Sequence, residues 1–334
     1  MKFTAYAAAE TGGSLHPITL ELPELNSRQV LIEVTHCGIC HSDLHMIDND
    51  WGVSAYPLVP GHEVVGHVAQ VGGSVQGDWI GKRVGLGWQA GSCGQCEWCV
   101  GKQENLCVKP QATIVKRYGG FATHVVADID FIFPIPGKLD SDKAAPLLCG
   151  GVTVFSPLYR HGVGKGRRVG VMGIGGLGHM ALQFSKAMGA HVWAFSGSPA
   201  KEQEAKSLGA DEFCITTDAT ALKSAKNSLD YLLVTATADL DWMPYVNLLR
   251  PNGTICFVTG ENTRINVPVG HILSNQLNIT GSVIGSIETM KRMLEFAEAH
   301  GIGAHTECMP MRDVNAALTK VRRNQARYRM VLEA

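Results

Sequence analysis

The stretch RRVGVMGIGGLGHMALQFSKAMGAHVWAF, residues 167–195, constrains the fold more than any other in this chain. An apolar run enters a glycine turn, a helical amphipathic pattern follows and stops around Gly189, and a second apolar run comes after it. Gly173, Gly175 and Gly178 take the G-x-G-x-x-G spacing, with Gly176 and Leu177 inside the turn. Their expected roles are distinct: Gly173 turns the chain, Gly175 lets backbone approach a pyrophosphate, and Gly178 permits close packing of helix on strand. Free amides at the start of the helix then attract phosphate. Glycine-rich turns also arise from packing alone, so the motif takes its force from the strand before it and the helix after it. Further strand candidates at Glu212–Ile215, Tyr231–Val234 and Gly253–Phe257 alternate with helical segments. Their apolar centres favour a parallel sheet covered on both faces.

The second strand of this unit runs into AFSGSPAK, where an NAD site usually places Asp or Glu on the adenosine ribose hydroxyls. Ser196 and Ser198 offer hydroxyl donors, Gly197 leaves room, and Lys201 opposes a 2′-phosphate charge. NADP(H) is therefore expected over NAD(H). The competing reading is an ordinary Ser-Gly-Ser-Pro turn before a surface lysine, and Glu202 and Glu204 dilute the local positive charge.

At 334 residues the chain exceeds what one core usually fills, and two domains are expected. Residues 1–150 carry the short strand candidates LIEVTH, VVGHVAQVG, KRVGLG and FATHVVA, which suggest a β-rich domain with long loops. Residues 151–289 form the dinucleotide domain. After it, MKRMLEFAEAHG places Met290, Met293, Leu294 and Ala297 on one helical stripe, and ARYRMVLEA reads as a final strand. That strand could return to the first domain, which termini that often lie close together make plausible and periodicity alone does not place; residues 290–334 are expected there, in an α/β two-domain chain.

A net charge of -1 gives no electrostatic case for nucleic acid or an anionic membrane. Glycines interrupt the long apolar runs, and the N-terminus lacks the sustained apolar core of a signal peptide. A cytoplasmic location and a small-molecule partner are the expectations.

Four of the ten cysteines, Cys93, Cys96, Cys99 and Cys107, are spaced C-x2-C-x2-C-x7-C, which lets a tight loop wrap a tetrahedral zinc. No position is left for substrate, so that site should be structural. A four-iron cluster is the formal alternative, without the matching cluster-binding run. Cys40 in CGICHSDLH, His62 and Glu63 in PGHE, and Cys149 in LLCGG are dispersed. A Cys/His/Cys zinc with one open position could hold water or a substrate oxygen, but spacing alone does not reveal that assembly.

CGICHSDLH, VPGHEVVG, the four-cysteine loop, LLCGGVTV and GIGGLG, in this order, resemble the medium-chain zinc-dependent alcohol dehydrogenase family across almost the whole chain. MIDNDWG, VGLGWQAGSCGQC and ARYRMVL are most similar to its cinnamyl-alcohol dehydrogenase branch, and within it to bacterial broad-range NADPH-dependent aldehyde reductases. The resemblance implies a GroES-like catalytic domain plus a Rossmann domain, with two zinc ions per subunit. It assigns the catalytic zinc to Cys40, His62 and Cys149, makes Glu63 an adjacent or alternate ligand, and has Asp43 orient His62.

Ser42 takes the first proton contact in this resemblance and His45 continues a relay; satisfying polar groups of the metal loop is the bland alternative for both. His41 and Arg329 match positions near the cofactor phosphates, Thr153 a contact to nicotinamide, and Trp51 and Trp88 the walls of the substrate pocket. Cys37 does not match a ligand position, and Cys214, Cys256 and Cys308 are expected in the core.

The implied activity is NADPH-preferring, reversible reduction of aliphatic and aromatic aldehydes to primary alcohols. A polyol or amino-alcohol dehydrogenase could use the same chemistry, and a non-catalytic NADPH-binding redox sensor is the non-enzyme alternative. The family is commonly dimeric or tetrameric, and NITGSVIG is the expected sheet edge of a homodimer or homotetramer.

Overall fold

A computed structural model describes residues 2–22, 24–237, 240–260 and 263–334. The chain divides into two units, Met1–Val152 with Ile284–Ala334, and Thr153–Val283. The segment ahead of the helix Ile287–His300 packs into the first unit. A side chain at Gly285 would begin 2.6 Å from Val152 Cγ2.

In the first unit the strands run in the order Thr306–Pro310, Arg329–Glu333, Gln29–Ile39, Glu63–Val71, Arg83–Leu86 and Ile132–Pro134. His124–Asp128 pairs with the first half of Gln29–Ile39, and the C-terminal strand with its second half. The return of ARYRMVL to this domain is thus a direct antiparallel pairing, with Met330 opposite Ile39. Val30, Ile32, Val64, Val84 and Leu332 are fully buried in one core. Register shifts at Leu31/Ile32 and Val34/His36 add twist to the long strand as it runs toward Cys40.

The helix Ile287–His300 begins at Ser286, whose side chain accepts from Thr289 N, and ends at Gly301 with φ 64°. It buries the expected stripe of Met290, Met293, Leu294 and Ala297.

The second unit is a six-stranded, fully parallel sheet ordered Glu212–Ile215, His191–Ser196, Arg168–Met172, Leu229–Val234, Leu249–Phe257 and Asn278–Gly281. Strand order reverses at Arg168–Met172, which is the Rossmann arrangement, and the crevice beyond the carboxyl ends of the central strands is where such sheets bind ligands. Val169, Val171, Val192, Leu232 and Leu233 are completely buried, as a sheet covered on both faces requires. No helix among the described residues is long and apolar enough to cross a membrane.

Candidate active site

The site is built on the turn between the strand Gln29–Ile39 and the helix His41–Asp48. Cys40, extended at φ -111°, caps that helix, and Asp43 Oδ2 accepts its amide proton at 2.9 Å. The other oxygen of Asp43 accepts from Gly61 N at 2.8 Å and lies 3.0 Å from His62 Nδ1. One buried carboxylate therefore closes the Cys40 turn and fixes the His62 ring with its proton on Nδ1. His62 Nε2 is left buried with no hydrogen-bond partner.

Around that nitrogen lie Cys40 Sγ, Cys149 Sγ and a Glu63 oxygen, all ligand atoms within 4.8 Å of one another. Two sulfurs, an unpartnered imidazole nitrogen and a neighbouring carboxylate are a zinc donor set with room for an exchangeable ligand. Burial pushes the Glu63 carboxyl up to about 7 against the pull of the Arg329 guanidinium. Gly38 is what admits this carboxylate, since a Cβ there would sit 2.1 Å from Glu63 Oε2.

The four-cysteine loop also fits zinc. A tetrahedron with Zn–S bonds of about 2.3 Å has sulfur–sulfur edges of about 3.8 Å. Cys96 and Cys99, and Cys93 and Cys107, are 3.5 Å apart, and Cys93 and Cys99 are 3.9 Å apart. The amides of Cys93 and Lys109 donate to Cys107 Sγ at 3.3 and 3.4 Å. Amides of Val108 and Cys99 pull the Cys96 thiol down to about 6, which favours the thiolate a metal needs.

Ser42 is half-buried with its Oγ 3.7 Å from Cys40 Sγ, and His41 is exposed on the first turn of the helix. His45 Nδ1 lies 2.7 Å from Asp50 Oδ2, a partner that sequence reasoning missed. The Asn49 cap, left-handed at φ 56°, folds the chain so that Asp50 meets the helix it has just left. The rings of His45, Trp51, Trp88 and His62 form a chain of contacts, with centroids 5.3, 5.8 and 5.0 Å apart. Trp88 stands at 86° to His62 and lines a small apolar pocket with Leu148, Val152, Ile284 and Met290. Ile284 holds φ 37°, a strained conformation for a β-branched residue.

Arg329 is only 5% exposed and hydrogen-bonds to Glu63 across 266 residues of sequence, so its guanidinium is engaged inside the first unit. Cys37 is buried outside both donor sets, and Cys214 and Cys256 are core residues. Cys308 departs from expectation: it is exposed, on the edge strand Thr306–Pro310.

In the second unit, Gly173 has φ 91° and a side chain there would strike Ala236 Cβ at 2.6 Å. A Cβ on Gly178 would be 1.9 Å from Gly173 O, whereas Gly175 has nothing within 4 Å. Turn, close packing and open approach thus fall on the three glycines as the motif requires. Gly176 and Leu177 are half-buried ahead of the helix Gly178–Ala187. The Ser196 hydroxyl oxygen accepts from Ser198 N at 3.2 Å across Gly197, and Lys201 Nζ donates to Ile174 O of the glycine turn. Thr153 is buried at 8% exposure, in the helix Gly150–Arg160.

Residues 26–137 match the family described as Alcohol dehydrogenase GroES-like domain, and residues 176–299 the one described as Zinc-binding dehydrogenase. A probable mannitol dehydrogenase of Fragaria ananassa is 41% identical over 99% of this chain and 95% of its own length. Aldehyde reductase AdhA of Synechocystis is 41% identical over 98% of both chains. The crystal structure of a CAD from Helicobacter pylori complexed with NADP(H) superposes with a TM-score of 0.91 at 30% identity, covering 100% of this chain and 98% of that one. The chain belongs to the medium-chain zinc-dependent alcohol dehydrogenase family. It is an oxidoreductase of alcohols and aldehydes, with a GroES-like and a Rossmann domain.

Proposed function

We propose that this chain reduces aliphatic and aromatic aldehydes to primary alcohols, with NADPH preferred over NADH. The observation that carries the reading is the unpartnered His62 Nε2, set beside two sulfurs and against the edge of Trp88. Cys40, His62 and Cys149 would hold zinc, which would supply polarisation of the carbonyl oxygen, and a bound dinucleotide would supply the hydride. The chain does the rest. The Ser42 hydroxyl, beside Cys40, donates a proton to the oxygen as the alcohol forms, and His45 replaces that proton. Asp50 keeps the His45 proton on Nδ1, which leaves Nε2 to exchange. Trp88 and Trp51 give the substrate side of the site an aromatic wall that suits alkyl and aryl groups.

For the cofactor, Lys201 is held beside the glycine turn, at the end of a strand that finishes in Ser196 rather than a carboxylate. That arrangement accepts a 2′-phosphate without like-charge repulsion. The neighbour holding NADP(H) supports the same choice, and the relative named as an aldehyde reductase supports the reductive chemistry. Thiolate-based sites suit the reducing cytoplasm. The edge strand Asn278–Gly281, with Val269, Leu273 and Val283 exposed near it in sequence, is the proposed pairing edge of a homodimer or homotetramer, to be read from mass in solution.

A matched turnover panel with NADPH and NADH, containing aliphatic, aromatic and sugar aldehydes and the reverse reactions, tests the proposal. Higher kcat/KM with NADPH and apolar aldehydes is expected; preference for NADH or for sugars would overturn it. The relative named as a mannitol dehydrogenase favours a second reading, oxidation of a polyol at the same centre. It would show as fastest turnover of polyols in the reverse arm.

A further inference from the structure

Glu104 is half-buried in the short helical turn Glu104–Leu106, between Cys99 and Cys107 of the four-cysteine loop. Its main chain and its side chain grip different elements. The main-chain oxygen accepts from Gln89 Nε2 at 2.7 Å, and Gln89, only 7% exposed, follows Trp88 directly in the chain. The side-chain oxygen Oε2 accepts from the Ile287 amide at 3.3 Å, across 183 residues of sequence. All of these residues belong to the first unit.

Ile287 opens the helix Ile287–His300, so its amide is one of those that no turn of the helix can satisfy. The Ser286 side chain accepts from Thr289 N, and the Glu104 carboxylate takes the Ile287 amide, placing negative charge at the positive end of the helix. Ile284, Gly285 and Ile287 line the same small apolar pocket as Trp88 and Gln89. Two segments that line this pocket are therefore tied to one residue of the loop. Neither has much slack: Thr113 N donates to Trp88 O at 2.8 Å and Thr113 Oγ1 to Gly87 O at 2.6 Å, while Ile284 holds φ 37°.

We infer that Glu104 is a positioning residue for substrate selection, through which the four-cysteine loop sets the spacing between Trp88 and the Ile284–Ile287 segment. Glu104 itself does not line the pocket and belongs to neither donor set. It acts through the main chain of Gln89 and through the first turn of the helix. The loop thus contributes to discrimination between aldehydes as well as to stability. This role presupposes that Trp88 bounds the substrate, as proposed above. Loss of the carboxylate frees the Ile287 end of the pocket while the Gln89 contact, made to the main chain, stays in place. Loosening then falls on the substrate side and spares the metal ligands.

The test compares Glu104→Ala, Glu104→Gln and Trp88→Ala with the parent chain, each carrying both zincs. It reads hydrogen exchange of the peptide containing the Ile287 amide, metal content, and kcat and KM for one aromatic and one small aliphatic aldehyde. Glu104→Ala should speed exchange of that amide about tenfold. It should also lower the aromatic-to-aliphatic kcat/KM ratio about threefold, through KM for the aromatic aldehyde, while kcat for the aliphatic one stays within about twofold and zinc is retained. Glu104→Gln keeps an acceptor for the amide and should restore most of both effects. Unchanged exchange in Glu104→Ala would overturn the role, as would a uniform loss of turnover and melting temperature with the ratio intact. If Trp88→Ala shifts the ratio and Glu104→Ala does not, the positioning role fails alone; if neither shifts it, the aromatic wall fails with it.

Discussion

Asp50 Oδ2 lies 2.7 Å from His45 Nδ1, brought there by the left-handed turn at Asn49. In a proton relay this pairing decides which ring nitrogen exchanges. Asp50→Asn should lower aldehyde turnover by about tenfold while KM for NADPH stays within about twofold. Asp50 is exposed, so the melting temperature should hold. Steady-state kinetics with unchanged kcat at every pH would remove the pair from the relay.

Trp88 packs edge-on against His62 and Trp51, so its removal opens the wall without touching a ligand atom. Trp88→Ala should reduce the preference for aromatic over aliphatic aldehydes by about tenfold, or about 1.4 kcal/mol of discrimination, with zinc content preserved. Competition between two aldehydes reads this ratio directly. An equal loss for every aldehyde would argue against a selective wall.

The glycine turn makes a paired prediction. A Cβ at 178 would meet Gly173 O at 1.9 Å, while one at 175 meets nothing within 4 Å. Gly178→Ala should destabilise the dinucleotide domain by about 2–3 kcal/mol through overpacking, measurable by calorimetry. Gly175→Ala should keep the melting temperature yet weaken NADPH binding, because it fills the approach to the pyrophosphate. Equal effects of the two on stability would contradict this division of roles.

What the sequence made legible follows from how local each determinant is. The glycine turn, the four-cysteine loop and the Met290–Ala297 stripe are written in short spacings, and the structure contains each of them. Cys40, His62 and Cys149 are far apart in sequence, and only a family resemblance drew them together. Asp50 was missed because its contact with His45 depends on the backbone sign at Asn49, which composition does not carry. The exposure of Cys308 depends on which strand ends the sheet, and the Glu63–Arg329 pair on a strand returning from the far end of the chain. These are register and topology effects, invisible to a local window.

Glu307 accepts hydrogen bonds from Lys320 Nζ and Arg327 N, both at 2.7 Å. The Lys320 hydrogen bond first, and then the Arg327 amide, hold its carboxyl below the usual glutamate range. A depressed folded-state pKa stabilises above the unfolded pKa and loses that effect as pH falls through the folded value. Glu307→Gln should therefore cost roughly 0.5 kcal/mol at neutral pH, since the pair is partly exposed. The difference should close on acidification below the ordinary glutamate range. Denaturant midpoints at neutral and acid pH check this, and a pH-independent difference would contradict it.

The central claim is that aldehyde reduction depends on a metal at Cys40, His62 and Cys149. Chelator-treated protein should be reloaded stepwise with Zn²⁺ while bound metal and NADPH-driven turnover of an aromatic aldehyde are measured on the same samples. Turnover should rise in proportion to occupancy of this centre, and Cys149→Ser should retain the four-cysteine zinc while remaining inactive. Full turnover by metal-free protein, or by Cys149→Ser, would contradict the account.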